Sequence, residues 1–112
     1  MKKELANENL KPIKISFGDV FVGRERDNKY LIINVGQGKT CDAIGIQSKD
    51  GQEALGIGGT TGREDIGEIV DHWDLERTTR AIMNYFDHSE PKREMYDLLK
   101  EYSRQKPRLL NP

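Results

Sequence analysis

The sequence predicts an α+β fold, with a small antiparallel sheet or partial barrel followed by two or three helices, and three observations carry that reading. Over residues 11–58 apolar and polar residues alternate in short runs separated by Gly, Asp and Asn. Over residues 62–106 the apolar spacing lengthens to i, i+3, i+4 and i+7, the repeat of a helical face. The chain has 112 residues, 35% hydrophobic and 33% charged, enough for one modest core and outside the composition of disordered chains. Residues 1–112 therefore read as a single domain, with a sheet part at 11–58, a mainly helical part at 62–106 and a tail at 107–112.

The elements follow in order. Ile13, Ile15 and Phe17 share one face of a strand, with Lys14 and Ser16 on the other. Gly18-Asp19 interrupts the run, Val20 to Val22 resume it, and the polar stretch from Gly23 to Asn28 has hairpin composition. Tyr30 to Val35 is apolar on both faces, which predicts a central strand. Turns at Gly36-Gln-Gly38 and Ser48 to Gly51 frame a strand over Cys41–Gln47, and Glu53–Ile57 supplies another, for four or five antiparallel strands in all. Beyond Gly62, Ile66, Ile69, Val70 and Trp73 favour a helix, with Thr61 and Glu64 spaced as a capping box. Gly67 weakens that helix, and the same stretch also reads as a last strand ending at Trp73. Leu75 to Phe86 is a helix with Asp74 as N-cap and Leu75, Thr79, Ile82 and Phe86 on one stripe. The last helix starts near Ser89-Glu-Pro91, buries Met95, Leu98, Leu99 and Tyr102, and stops before Pro107, after which Leu109 and Leu110 call for a groove.

Composition excludes several classes of function. The longest apolar stretch, Tyr30 to Ile33, is far short of the roughly 20 residues that cross a bilayer. The first residues, Met-Lys-Lys-Glu-Leu-Ala-Asn-Glu, lack the apolar core of a secretory signal, so a cytoplasmic location is expected. The single cysteine, Cys41, lies in an apolar run and reads as a small buried hydrophobe. His72 and His88 stand in no metal-ligand spacing, and no cofactor is expected. Eighteen Lys and Arg against nineteen Asp and Glu make nucleic acid an unfavoured partner, though a local basic patch is allowed. A chain of this length buries roughly 65% of its unfolded surface, and self-association is expected to cover part of the remainder.

Among motifs, Gly36-Gln-Gly38-Lys39-Thr40 ends like a phosphate-binding loop. It lacks the Gly five residues upstream, where Ile33 stands, and no helix follows. Gly56-Ile-Gly-Gly-Thr-Thr-Gly-Arg63 has the composition of an anion cradle, with Gly59, Thr60 and Arg63 as candidates. Glu64, Asp65 and Glu68 oppose an anion there, and a turn or bulge that bends the sheet is the competing reading. No Gly-x-Ser-x-Gly elbow and no Cys/His pairing appears, so an enzyme is not expected. The charges are polarised, with six acids and one Arg over residues 62–76 and four basic residues against one acid over 100–112. In the helical half, Arg77 and Arg80, near Asn84, and Arg104, Lys106 and Arg108 at the end of the chain either offset helix dipoles or grip phosphate through guanidinium, and Trp73 could carry a stacked base or fill the core.

A small antiparallel sheet followed by two C-terminal helices, with an Arg-rich tail and signs of self-association, resembles the phage anti-Thoeris sponge proteins. The resemblance implies a non-enzymatic homo-oligomer that sequesters a cyclic ADP-ribose signal in the host cytoplasm, as a phage anti-defence protein. It further implies that the pocket lies between protomers, with Trp73 as stacking residue and Arg77, Asn84, Arg104 and Arg108 as polar contacts. The leading expectation is thus a protein that sequesters a nucleotide-like anionic small molecule. The alternatives are an inhibitor of a bacterial host protein acting through the acidic stretch 62–76, and an SH3-like or OB-like nucleic-acid binder using Lys11, Lys14, Arg24 and Arg26.

Overall fold

Leu31 and Ile32 are neighbours in sequence, point to opposite faces of a sheet, and are both fully buried, so their strand has apolar packing on each side. A computed structural model describes residues 10–86 and 92–112. Its strands are β1 (Ile13–Ile15), β2 (Asp19–Gly23), β3 (Lys29–Asn34), β4 (Thr40–Lys49), β5 (Gln52–Gly62), β6 (Ile66–His72) and β7 (Arg108–Leu110). The α-helices among the described residues are α1 (Leu75–Phe86) and α2 (Lys92–Ser103). The main sheet is antiparallel, five strands wide, in the order β5-β4-β3-β2-β6, while β1 and β7 form a separate two-stranded ribbon. The protein is therefore a mixed α+β fold with β3 at the middle of the sheet, as its two apolar faces predicted, but the sheet structure is larger than the four or five strands expected, with seven strands and two α-helices among the described residues.

Each face of the sheet has its own core. Phe21, Ile32, Val35, Cys41, Ala43 and Ile66 pack with Ile15 and Leu110 of the ribbon. Phe17, Val20, Leu31 and Leu55 pack with Trp73, with Ala81 and Ile82 of α1, and with Leu99 of α2. The chain changes face between Ile15 and Phe17, which corrects the single strand predicted across them. There the Ser16 amide donates to the Asp19 carboxylate at 2.9 Å, and Gly18 takes a φ of +90° while its amide donates to the Ile32 carbonyl. A Cβ on Gly18 would stand 2.3 Å from the Trp73 carbonyl oxygen, so only glycine fits this crossing.

Of the two readings of residues 62–73, the helix is overturned and the strand ending near Trp73 holds. Arg63–Asp65 form one 3-10 turn, and Ile66–His72 form β6 on the outer side of β2. The helical spacing of Ile66 and Ile69 has another origin. Phe21 pairs with Ile69 and Gly23 with Ile66, so three steps along β6 match two along β2, and this bulge returns both isoleucines to the same core. Gly67 fits the strand because a Cβ there would meet the Val22 carbonyl oxygen at 2.8 Å. Thr61 caps no helix; it pairs with Cys41 inside β5.

The glycine-rich stretch is strand rather than an anion cradle or turn, and the bulge of the competing reading holds. β5 runs unbroken to Gly62, with a bulge where Gly58 to Leu55 oppose Ile44 to Ile46. Gly36 (φ +57°) turns β3 into β4, as predicted. Asp74 caps α1 by accepting the Arg77 amide at 2.7 Å. The start predicted for the last helix at Ser89-Glu-Pro91 lies outside the described residues. In α2 Leu99 is buried, whereas Leu98 is 43% exposed, which corrects its place on the buried face. The tail predicted at 107–112 contains β7: Leu110 is buried opposite Ile13, and Leu109 is 59% exposed. No helix among the described residues is long and apolar enough to cross a membrane.

Two predictions follow from this packing. Gly18→Ala should destabilise the protein by about 2 kcal/mol or more, read as a lowered midpoint in urea, because it combines a left-handed φ with a backbone clash. Burial pushes the Cys41 thiol up to about 11. At pH 8 only about one thiol in a thousand is then ionised, so a thiol-disulfide reagent should label the native protein far more slowly than the urea-unfolded chain.

Candidate functional site

The arginines proposed from sequence are distributed over several jobs. Trp73 is 2% exposed, and the Arg77 guanidinium lies 4.3 Å from its ring centroid. The stacking role for Trp73 is corrected accordingly: the indole belongs to the core, with a guanidinium of the same chain against its ring. Arg77 donates from Nε and Nη2 to the two Glu53 carboxylate oxygens at 2.9 and 2.5 Å, and Asp71 stands 3.8 Å from its Nη1. This fork holds the Glu53 carboxyl below its usual range and raises Arg77. The Asn84 side-chain amide donates to the Glu53 main-chain carbonyl at 2.8 Å. Arg77 and Asn84 thus clamp α1 to β5 and line one shallow cavity with Arg80, whose own partner is Glu76.

The remaining candidates lie outside that cavity. The Arg108 guanidinium donates to the carbonyls of Val35 and Thr40, fastening β7 to the turn between β3 and β4. Arg104 is exposed just beyond α2. Gly59 and Thr60 are exposed strand residues paired with Ala43 and Asp42, with no loop to cradle an anion. The structure therefore brings Trp73, Arg77 and Asn84 together and does not join Arg63, Arg104, Arg108, Gly59 or Thr60 to them.

Arg63 defines a different site. It is 7% exposed, and it donates from Nε to the Lys11 carbonyl at 2.8 Å and from Nη1 to the Ile66 carbonyl at 2.7 Å. The Ile66 carbonyl also accepts from Arg24 Nη2 at 3.3 Å, so two guanidinium groups converge on one oxygen. Burial, and then the Arg24 charge, lower the Arg63 pKa. Among the described residues no carboxylate forms an ion pair with either group. The local backbone explains the meeting: the 3-10 turn delivers Arg63 beside the end of β2, where the Arg24 amide donates to the Asp65 carbonyl at 3.0 Å.

Arg24 also lines a cavity of about 290 Å3 with Phe21, Gly23, Glu25, Arg26, Tyr30, Thr61 and Asp65. Phe21 and Tyr30 face each other across β2 and β3 with ring centroids 5.4 Å apart and planes 23° from parallel. A Cβ on Gly23 would stand 2.9 Å from the Tyr30 ring, so the bare backbone there makes room for the aromatic wall. The site offers guanidinium donors, an aromatic ring, a hydroxyl and the acidic residues Glu25 and Asp65 within one concavity. Arg24 and Arg26 were legible as a basic patch, but their convergence with Arg63 and Tyr30 depends on the β6 return, which no local pattern announces. Elsewhere, His72 Nδ1 lies 2.8 Å from Asp19 Oδ1, and no group of three metal-ligating side chains occurs among the described residues.

Comparison with known proteins returns no matching family model, no curated protein and no solved structure.

The Arg77–Glu53 pair sets a pH dependence. A carboxyl whose folded pKa is depressed contributes stability above its unfolded value, near 4.5, and loses it as pH falls through the lower folded value. Both side chains are substantially exposed, so the contribution is below about 1 kcal/mol. Arg77→Ala should be less stable than the parent at pH 7, and the gap in urea midpoint should narrow below pH 4.5, leaving the contribution of the Trp73 contact.

Proposed function

We propose that the protein is a non-enzymatic binding protein for a nucleotide-like anionic small molecule, with the phosphate held by Arg24 and Arg26, the buried Arg63 charge behind them, and the ring set beside Tyr30. The observation that carries this reading is the convergence of Arg24 and Arg63 on the Ile66 carbonyl with no ion-paired carboxylate among the described residues. Two like charges held together, one of them buried, repel each other, and an oxyanion between them turns that repulsion into two charge-assisted contacts. The neighbouring aromatic wall adds a flat apolar surface, and Thr61 and Asp65 add polar groups for the edge of a ring. The cavity beside Arg77 is the poorer choice, because both Glu53 carboxylate oxygens already accept from Arg77 and a phosphate there must break that fork. Sequestering a signalling nucleotide, the role implied by the anti-Thoeris resemblance, is a use that such a site would serve.

The test is calorimetric titration and thermal unfolding with AMP, GMP, their cyclic forms and inorganic phosphate. Ligand at about 100 times its Kd should add about 2.7 kcal/mol of stability, a rise of several degrees in Tm. Arg24→Ala, a change at an exposed residue, should weaken binding by about tenfold or more. A Tm that moves by less than about 1 °C with every compound at millimolar concentration overturns the reading.

A further inference from the structure

The consecutive residues of the 3-10 turn end in different places. Arg63 is buried against the Lys11 and Ile66 carbonyls. Glu64 folds back over Gly62, where a Cβ would stand 2.8 Å from its carboxylate oxygens. Asp65 is exposed and lines the cavity that holds Arg24, Arg26 and Tyr30. Its main-chain carbonyl accepts the Arg24 amide at 3.0 Å, so the two residues are neighbours, yet the Arg24 guanidinium turns to the Ile66 carbonyl. Among the described residues the Asp65 carboxylate accepts no hydrogen bond and joins no ion pair, whereas Glu25, the other acid of the cavity, takes part in an interaction within the protein. The cavity thus keeps an open carboxylate beside its cations.

A phosphate has no use for that carboxylate, which repels it, so the acid must be matched by another part of the ligand. The ring of a nucleotide offers donors and acceptors in a pattern that differs from base to base. Adenine and cytosine each set a donor beside a ring nitrogen that accepts, and uracil sets a single N–H between two carbonyl oxygens, so a carboxylate meets repulsion at each of them. Guanine presents two adjacent donors, N1–H and the N2 amino group, which match the two oxygens of a carboxylate as a guanidinium does. We infer, resting on the function proposed above, that the ligand is a guanine nucleotide whose N1–H and N2–H groups donate to the Asp65 carboxylate while its phosphate meets Arg24 and Arg26. Thr61 lines the same cavity, and its hydroxyl can donate to the O6 oxygen beside N1. Selectivity follows from the mismatch as much as from the match, because a base that turns an acceptor toward Asp65 leaves a charged group unpaired.

The experiment is calorimetric titration of the full chain, parent and Asp65→Asn, with GMP, IMP, AMP, XMP and inorganic phosphate. IMP lacks the N2 amino group, and XMP carries a carbonyl oxygen in its place. The parent should bind GMP about tenfold tighter than IMP and about a hundredfold tighter than AMP. In Asp65→Asn an amide nitrogen donates where a carboxylate oxygen accepted, so GMP should weaken by about tenfold while XMP tightens. An unchanged Tm without ligand shows that the variant is folded. A carboxylate acting only through its charge has a different signature, in which Asp65→Asn strengthens GMP, AMP and phosphate alike. That result, or AMP binding within about twofold of GMP in the parent, overturns this inference and leaves the nucleotide-binding reading in place. Silence from every compound, inorganic phosphate included, brings down that reading as well.

Discussion

Burial of β3 on both faces is the constraint on which the rest of the structure depends. A five-stranded sheet in a chain of this size must cover two apolar surfaces, and the chain has only limited material for each. The helices take the Leu31 face and the β1–β7 ribbon takes the Ile32 face. Residues at either end of the sequence are therefore committed to one core, and the segment after the sheet to the other. The crossing at Gly18, where backbone packs on backbone beside Trp73, allows one chain to serve both.

That arrangement also explains how the arginines are used. Where an irregular segment meets the sheet, main-chain carbonyls face away from regular ladders and need donors. Arg108 supplies them to Val35 and Thr40, and Arg63 to Lys11 and Ile66. The planar fork of guanidinium reaches two such oxygens at once, which a lysine ammonium does less well. Arg77 does similar work with a carboxylate and so carries no surplus charge into its cavity. Among the described residues, two guanidinium groups meet at the Ile66 carbonyl, and there the structural use of arginine overlaps with the proposed binding use.

The strength of the sequence reading varied with the range of the interactions involved. The run Tyr30–Val35, apolar on both faces, the turn at Gly36 and the Asp74 cap are local, and the sequence displays each. The segment from Ile66 to Trp73 misled because a bulged strand and a helix can both place residues three apart on one face. Phe17 misled because a positive-φ glycine moved it to the opposite side of the sheet. The candidate site was only half legible. Arg63 was singled out for its glycine-rich neighbours, which proved to be strand, whereas its actual companion, Arg24, lies some forty residues away in sequence. Charge and side-chain shape nominate residues, but the return of β6 to β2 selects among them.

The pairing of Ile13 with Leu110 gives the ribbon a temporal consequence. One wall of the molecule is made from strands almost a hundred positions apart, so an emerging polypeptide must wait for its last leucines before Ile32, Val35 and Cys41 are shielded from water. The meander and its helices can associate earlier, during synthesis. Closure of the opposite wall is then a late event, and the half-finished particle presents an oily surface to whatever binds nascent chains.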